Sequence, residues 1–109
     1  MKIHDLEYGY PIVKHAIDRL KVILHDAKKN KEKVIAIIHG YGSSGVGGKI
    51  KRNVHEFLEE EIKLHHIEKY IKGENFNMYN DESRNLHLKY PETSEFYNKD
   101  NKGITIIKI

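Results

Sequence analysis

Residues 35–52 read IAIIHGYGSSGVGGKIKR: an apolar run, one histidine, five glycines, two serines and three cations, with no acid among them. Few jobs suit such a stretch. Glycines leave backbone N–H groups open to a close ligand, and a helix starting after them offers its positive end, so the pattern suits an anion. The candidate seat is Gly40, Tyr41, Gly42, Ser43, Ser44, Gly45, Gly47 and Gly48, with Lys49 and Arg52 beside it. In the first turn of a helix these two cations oppose the dipole, an arrangement that an incoming phosphate would reverse. The plainer alternative is a tight strand-to-helix turn with both cations in water.

Two nucleotide motifs come close and fail. Gly40-Tyr-Gly42-Ser-Ser-Gly45 has the letters G-x-G-x-x-G. The dinucleotide fingerprint, however, puts its glycines at the helix start and an acid about 20 residues on, at the end of the next strand. Here the helical pattern starts after Gly48, and the acids Glu59, Glu60 and Glu61 fall inside it. Ser43-x4-Gly48-Lys49-Ile50 misses the P-loop at its first glycine and at the hydroxyl that would hold Mg²⁺.

Phosphodiester cleavage needs an activated nucleophile, an acid for the leaving oxygen and positive charge on the phosphorane. Asp5 can serve as base or metal ligand, and His39 as proton shuttle, since an imidazole titrates near neutrality. Lys49 and Arg52 can grip the phosphate, arginine in bidentate fashion. Glu7 adds a second carboxylate able to recruit Mg²⁺ or Mn²⁺. Each also has a structural reading: His39 as a hydrogen-bonding residue, Asp5 as a partner of the loop around Gly9. Histidines 15, 25, 55, 65, 66 and 87 show no metal-site spacing and read as surface or packing residues. Tyr8, Tyr10 and Tyr41 suit either base stacking or a half-buried rim.

The elements that would position these groups follow from periodicity. Residues 2–6 suit a short strand. Val13, Ala16, Ile17, Leu20, Ile23, Leu24 and Ala27 recur near every 3.6 residues, which predicts an amphipathic helix after Pro11. Residues 34–38 (VIAII) are continuously apolar, as in a strand covered on both faces. Ile50, Val54, Phe57 and Leu58 mark a second helix from about Gly48 to Leu64, residues 67–72 a third strand, and residues 103–109 a closing one. Between them residues 73–102 are polar, with 91–98 fit for one short helix, and 78–102 form a long excursion. The expected fold is α/β: a two-layer sandwich in β-α-β-α-β-β order on a mainly parallel or mixed four-stranded sheet. Asp5 and His39 then meet at the C-terminal edge of the sheet, where α/β proteins bind ligands.

Composition sets outer limits. The chain of 109 residues suits a single domain spanning 1–109. At 39% hydrophobic and 32% charged it is apolar enough to fold. No apolar run is long enough to span a bilayer, so no membrane partner is expected, and the N-terminus lacks the apolar core of a secretion signal. Having no cysteine, the chain has no disulfide, thiolate ligand or cysteine nucleophile, which fits a cytoplasmic location. A net charge of +3 permits a nucleic-acid partner without requiring one.

Taken together, the apolar strand, His39-Gly40-Tyr41-Gly42, the Ser/Gly loop and the helix that opens on a cation resemble the Smr (small MutS-related) domain. Asp5-Leu6 lines up with that family's aspartate-leucine-histidine-glycine motif, and GITIIKI with its last strand. Two departures stand out. Glu7 replaces the motif histidine, and the glycine-rich turn before the last strand is reduced to Asn101-Lys102-Gly103. The resemblance implies a fold like the C-terminal domain of bacterial translation initiation factor three. It also implies DNA or RNA as partner, with nicking endonuclease or ribonuclease activity in several members. The expected function is therefore nucleic-acid binding, with Asp5, His39 and Glu7 as the catalytic candidates and the chain either a whole protein or part of a larger protein. The alternatives are a non-catalytic DNA- or RNA-binding module, a site for a small phosphorylated ligand, and a protein-interaction adaptor.

Overall fold

The computed structural model describes residues 1–9, 11–42 and 46–109. Its elements are β1 (Lys2–Asp5), α1 (Val13–Lys29), β2 (Val34–Ile38), α2 (Val46–Lys63), β3 (Lys69–Lys72), α3 (Asp81–Lys89) and β4 (Ile104–Lys108), with 3₁₀ turns at Gly73–Asn75 and Pro91–Phe96. The strands form one sheet in the order β1-β2-β4-β3. Only β1 and β2 run parallel, joined through α1, while β4 is antiparallel to both β2 and β3. The sheet is thus mixed rather than mainly parallel. After β3 no helix crosses back over the α1/α2 layer, so β4 can return antiparallel.

Side-chain alternation in β2 and β4 divides the interior in two. Ile35, Ile37 and Ile107 face α1 and α2, where they meet Leu20, Leu24, Val54 and Leu58. Val34, Ala36, Ile104 and Ile106 face the other way and meet Phe76 and Leu86. The long polar excursion is therefore the cover of the second face, which is why β2 can be apolar throughout. Its anchors are Phe76, fully buried, and Leu86 on α3.

Local signals account for α3. The Asn80 side chain accepts a hydrogen bond from the Ser83 amide at 2.9 Å, acids fill the first turn, and His87 and Lys89 lie in the last. α2 begins at Val46, two residues before the expected start at Gly48. Lys49 therefore closes its first turn and Arg52 lies in its second. Among the described residues no helix is long and apolar enough to cross a membrane.

Candidate nucleic-acid interface

Beyond the ends of β1 and β2 the chain turns twice, side by side. The Leu6 amide donates to the Ile38 carbonyl at 2.8 Å, which extends the pairing of β1 with β2. Asp5 Oδ1 then accepts the Glu7 amide at 2.8 Å, closing a local Asx turn. Past β2, the His39 and Gly40 amides both donate to the Gly103 carbonyl, at 2.9 and 3.0 Å. Those two amides are spent inside the fold, so Gly40 is not an amide donor to a ligand.

Gly40 has two other reasons to be glycine. Its φ is +69°, in the left-handed region. A Cβ there would also lie 2.5–2.6 Å from the carboxylate atoms of Glu7. The missing side chain thus lets the Glu7 carboxylate lie against the turn, in the place where the resemblance led one to expect histidine chemistry.

His39 is fully buried, and both ring nitrogens are engaged. Nδ1 lies 2.6 Å from the Gly40 carbonyl oxygen, which can only accept, so Nδ1 carries the proton. In a neutral ring Nε2 is then an acceptor, and it takes the Thr105 hydroxyl proton at 2.8 Å. That leaves Thr105 Oγ1 to accept from His55 Nε2–H at 2.9 Å. Both tautomers are assigned from this network. The result is a directed chain from His55 of α2, through Thr105 of β4, to His39 and the carbonyl of the turn. Burial lowers the His39 pKa, as does Lys51, against the pull of the Gly40 hydrogen bond. Burial, with His39, Lys72 and Lys51 nearby, pushes His55 down to about 4. A neutral His39 ring is what the hydrogen-bond order requires, and the lowered His55 pKa leaves that ring neutral at pH 7 as well. Tyr70 stacks on His55 with ring centroids 5.2 Å apart and donates its hydroxyl to Glu59 at 2.7 Å.

The three cations of α2 separate by helix phase. Lys51 turns inward, where Nζ donates to Glu74 Oε2 at 2.6 Å and to the Lys102 carbonyl at 3.0 Å. Burial would raise the Glu74 pKa, but the Lys51 hydrogen bond and charge outweigh it and hold the carboxyl below its usual range. Lys51 is thus a clamp that ties α2 to the segments flanking the excursion. Lys49 and Arg52 lie three residues apart on the outside, both exposed, and in no ion pair among the described residues. α2 opens beside the turn: a Cβ at Gly48 would lie 3.6 Å from the Tyr41 carbonyl oxygen and 3.9 Å from that of Gly42, ordinary contact distances.

Between this turn and the end of the excursion lies an open cleft of about 710 Å³. Glu7, Gly40, Tyr41 and Gly42 line one side, Phe96 and Asn101 the other, and Ile38 and Ile104 also line it. The sequence-predicted residues thus fall into three groups. Glu7, Gly40, Tyr41 and Gly42 share the cleft; Gly47, Gly48, Lys49 and Arg52 lie on the opening turns of α2; and His39 is buried beneath the turn. Asp5 is exposed, with one oxygen holding its own turn. Ser43, Ser44 and Gly45 lie outside the described residues, as does Tyr10.

Sequence reasoning missed Thr105, His55, Glu74, Phe96 and Asn101. For Phe96 and Asn101 the signal was the length of the excursion itself. As for a metal, no group of three or more His, Cys, Asp or Glu side chains converges among the described residues. Mg²⁺ commonly takes only one or two carboxylates and completes its shell with water and phosphate oxygens, so Asp5 and Glu7 are the residues that would supply them.

Comparison with known proteins bears on the same residues. No curated protein and no solved structure matches the chain. The family model of the Smr domain matches residues 11–76, from the approach to α1 through β2, the HGYG turn and α2 to the start of the excursion. Asp5 and Glu7 precede the matched segment, and β4 follows it. Because that match takes in well over half of the 109 residues, the chain belongs to the Smr domain family.

Proposed function

We propose that this chain is a nucleic-acid-binding domain that holds the phosphate backbone at the opening turns of α2, beside the HGYG turn. One observation carries the reading: Lys49 and Arg52 are exposed, three residues apart on one side of α2, at the C-terminal edge of the sheet, while Lys51 is withdrawn into the fold. Cations held against a helix dipole, with a glycine turn packed alongside, suit a polyanion. DNA and RNA both meet this description. A small phosphorylated ligand is less well served, because the adjoining cleft is open rather than enclosing. The reading includes the likeness to the C-terminal domain of translation initiation factor three, supported by two helices on one face of a mixed four-stranded sheet. It also includes a reducing cytoplasmic setting, supported by the lack of cysteine.

Cleavage is the second reading, favoured by the Glu7 carboxylate at the mouth of the cleft. It assigns Glu7 and Asp5 the acid–base or Mg²⁺/Mn²⁺-binding roles and gives His39 a positioning role, since His39 holds the Gly40 carbonyl from below. Supercoiled plasmid and a structured RNA, each with and without Mg²⁺ or Mn²⁺, separate the two when binding is followed by gel retardation alongside. Retardation without cutting supports the binding module. Nicking that is lost in Glu7→Ala supports the nuclease. Neither retardation nor cutting refutes both.

A further inference from the structure

We propose that the cleft between the HGYG turn and the excursion seats one unpaired nucleobase, so that the domain prefers strands with an unstacked nucleotide over continuous duplex. This deepens the nucleic-acid reading and rests on it. The base of the cleft is apolar: Ile38 and Ile104 are register partners on β2 and β4. Aromatic rings come from both sides, Tyr41 from the turn and Phe96 from the excursion. Tyr41 is 60% exposed, so its ring is accessible to a base entering the cleft. At about 710 Å³ the cleft takes a base with its sugar.

Two polar side chains complete the seat. Asn101 is fixed by its Oδ1, which accepts the Gly103 amide at 2.9 Å, leaving its NH₂ as a donor. Glu7 brings an acceptor. Bases present donors and acceptors on their edges and flat apolar faces above and below, and no phosphate would choose an apolar floor beside a carboxylate.

The backbone path agrees. A Cβ at Gly48 of α2 would come within 3.6–3.9 Å of the carbonyls of Tyr41 and Gly42, so the cationic turns of α2 lie beside the same two residues that line the cleft. A strand whose phosphate lies on Lys49 and Arg52 can pass a neighbouring base over the turn. A base within a continuous duplex is stacked and paired, and enters only at the cost of extrusion.

The test uses fluorescence anisotropy with probes of equal length: a perfect duplex, the same duplex with a single-nucleotide bulge, and a single strand, each as DNA and as RNA. A 2-aminopurine at the bulge reports stacking. The bulged and single-stranded probes should bind on the order of tenfold tighter than duplex, with 2-aminopurine emission quenched. Tyr41→Ala, at an exposed position, should abolish both the preference and the quenching. Phe96→Leu, which keeps the packing, should reduce both. Equal binding of all probes by the parent chain, or a preference that survives Tyr41→Ala, overturns the base seat while the phosphate site stands. Free nucleoside monophosphates that compete as well as the strand itself would make the occupant a free nucleotide and overturn it too. Failure to bind any probe removes the nucleic-acid reading, and the base seat with it.

Discussion

Replacing Thr105 by valine changes one hydroxyl for one methyl and leaves the shape nearly intact. The hydroxyl joins two histidines, at 2.8 Å to His39 and 2.9 Å to His55, and all three residues are buried. Valine would leave His39 Nε2 without a donor and His55 Nε2–H without an acceptor. A buried polar group left unpaired costs about 1–3 kcal/mol. His55, at 9% exposure, can reach some water and counts at the low end, whereas His39, at 0%, cannot. The sum is about 2–4 kcal/mol, which in a domain of this size lowers Tm by on the order of 10 °C or more. Thr105→Ser keeps the hydroxyl and loses a methyl, about 1 kcal/mol. Urea unfolding of the parent and both variants, read at constant m, measures the difference directly. Valine should be clearly less stable than serine. A valine variant as stable as the parent, or one indistinguishable from serine, would refute the directed chain from His55 to the Gly40 carbonyl.

Other consequences can be checked separately. His55 is held near 4 in the fold and sits at its ordinary value of 6.5 when unfolded, so the unfolded chain binds more protons between those values. Its contribution is complete above pH 6.5 and is lost as the pH falls toward 4. With solvent screening allowed for, stability should drop by about 1 kcal/mol between pH 7.5 and 5, and His55→Gln should flatten that slope in urea titrations. Gly40→Ala must accept a φ of +69°, costing about 1 kcal/mol, and must also expel the Glu7 carboxylate. A double-mutant cycle with Glu7→Ala should therefore show coupling, and strict additivity would contradict the contact. Phe76→Ala removes the buried anchor of the excursion and should cost about 3–5 kcal/mol by chemical denaturation. A cost near zero would mean that the excursion does not cover the sheet.

The fold was legible where one period dominates. The apolar spacing of α1 and the unbroken VIAII of β2 mark real elements, and β2 occupies the residues expected of it. α3 was not legible, because nine residues with two leucines, only one of them buried, carry little periodicity; its clearest sign was the Asn80 cap followed by two acids. The cover over the second face was hidden for a related reason. Phe76, Leu86, Phe96 and Tyr97 are spaced irregularly, since they come from turns as well as a helix. The continuous apolarity of β2 did demand a cover on both faces, but it could not say what supplied the second.

At the site, the glycine turn and its cations were legible, but their division of labour was not. Which of Lys49, Lys51 and Arg52 turns inward depends on partners distant in sequence: Lys51 reaches Glu74 and the Lys102 carbonyl. The histidine chain links positions 66 and 50 residues apart, a juxtaposition that only the sheet register creates. His39 looked like a proton shuttle because its type and place suit one. Burial and two occupied nitrogens make it a support for the turn.

The central claim is that a nucleic-acid backbone lies on the outer face of α2 at Lys49 and Arg52. Its most direct measurement is the slope of log binding constant against log salt concentration, for the parent chain and for Lys49→Ala/Arg52→Ala. Each phosphate contact adds about 0.9 to the slope on duplex DNA. The paired substitution should make the slope shallower by about 2 and weaken binding at low salt. An unchanged slope and affinity would place the backbone elsewhere on the domain and contradict the account.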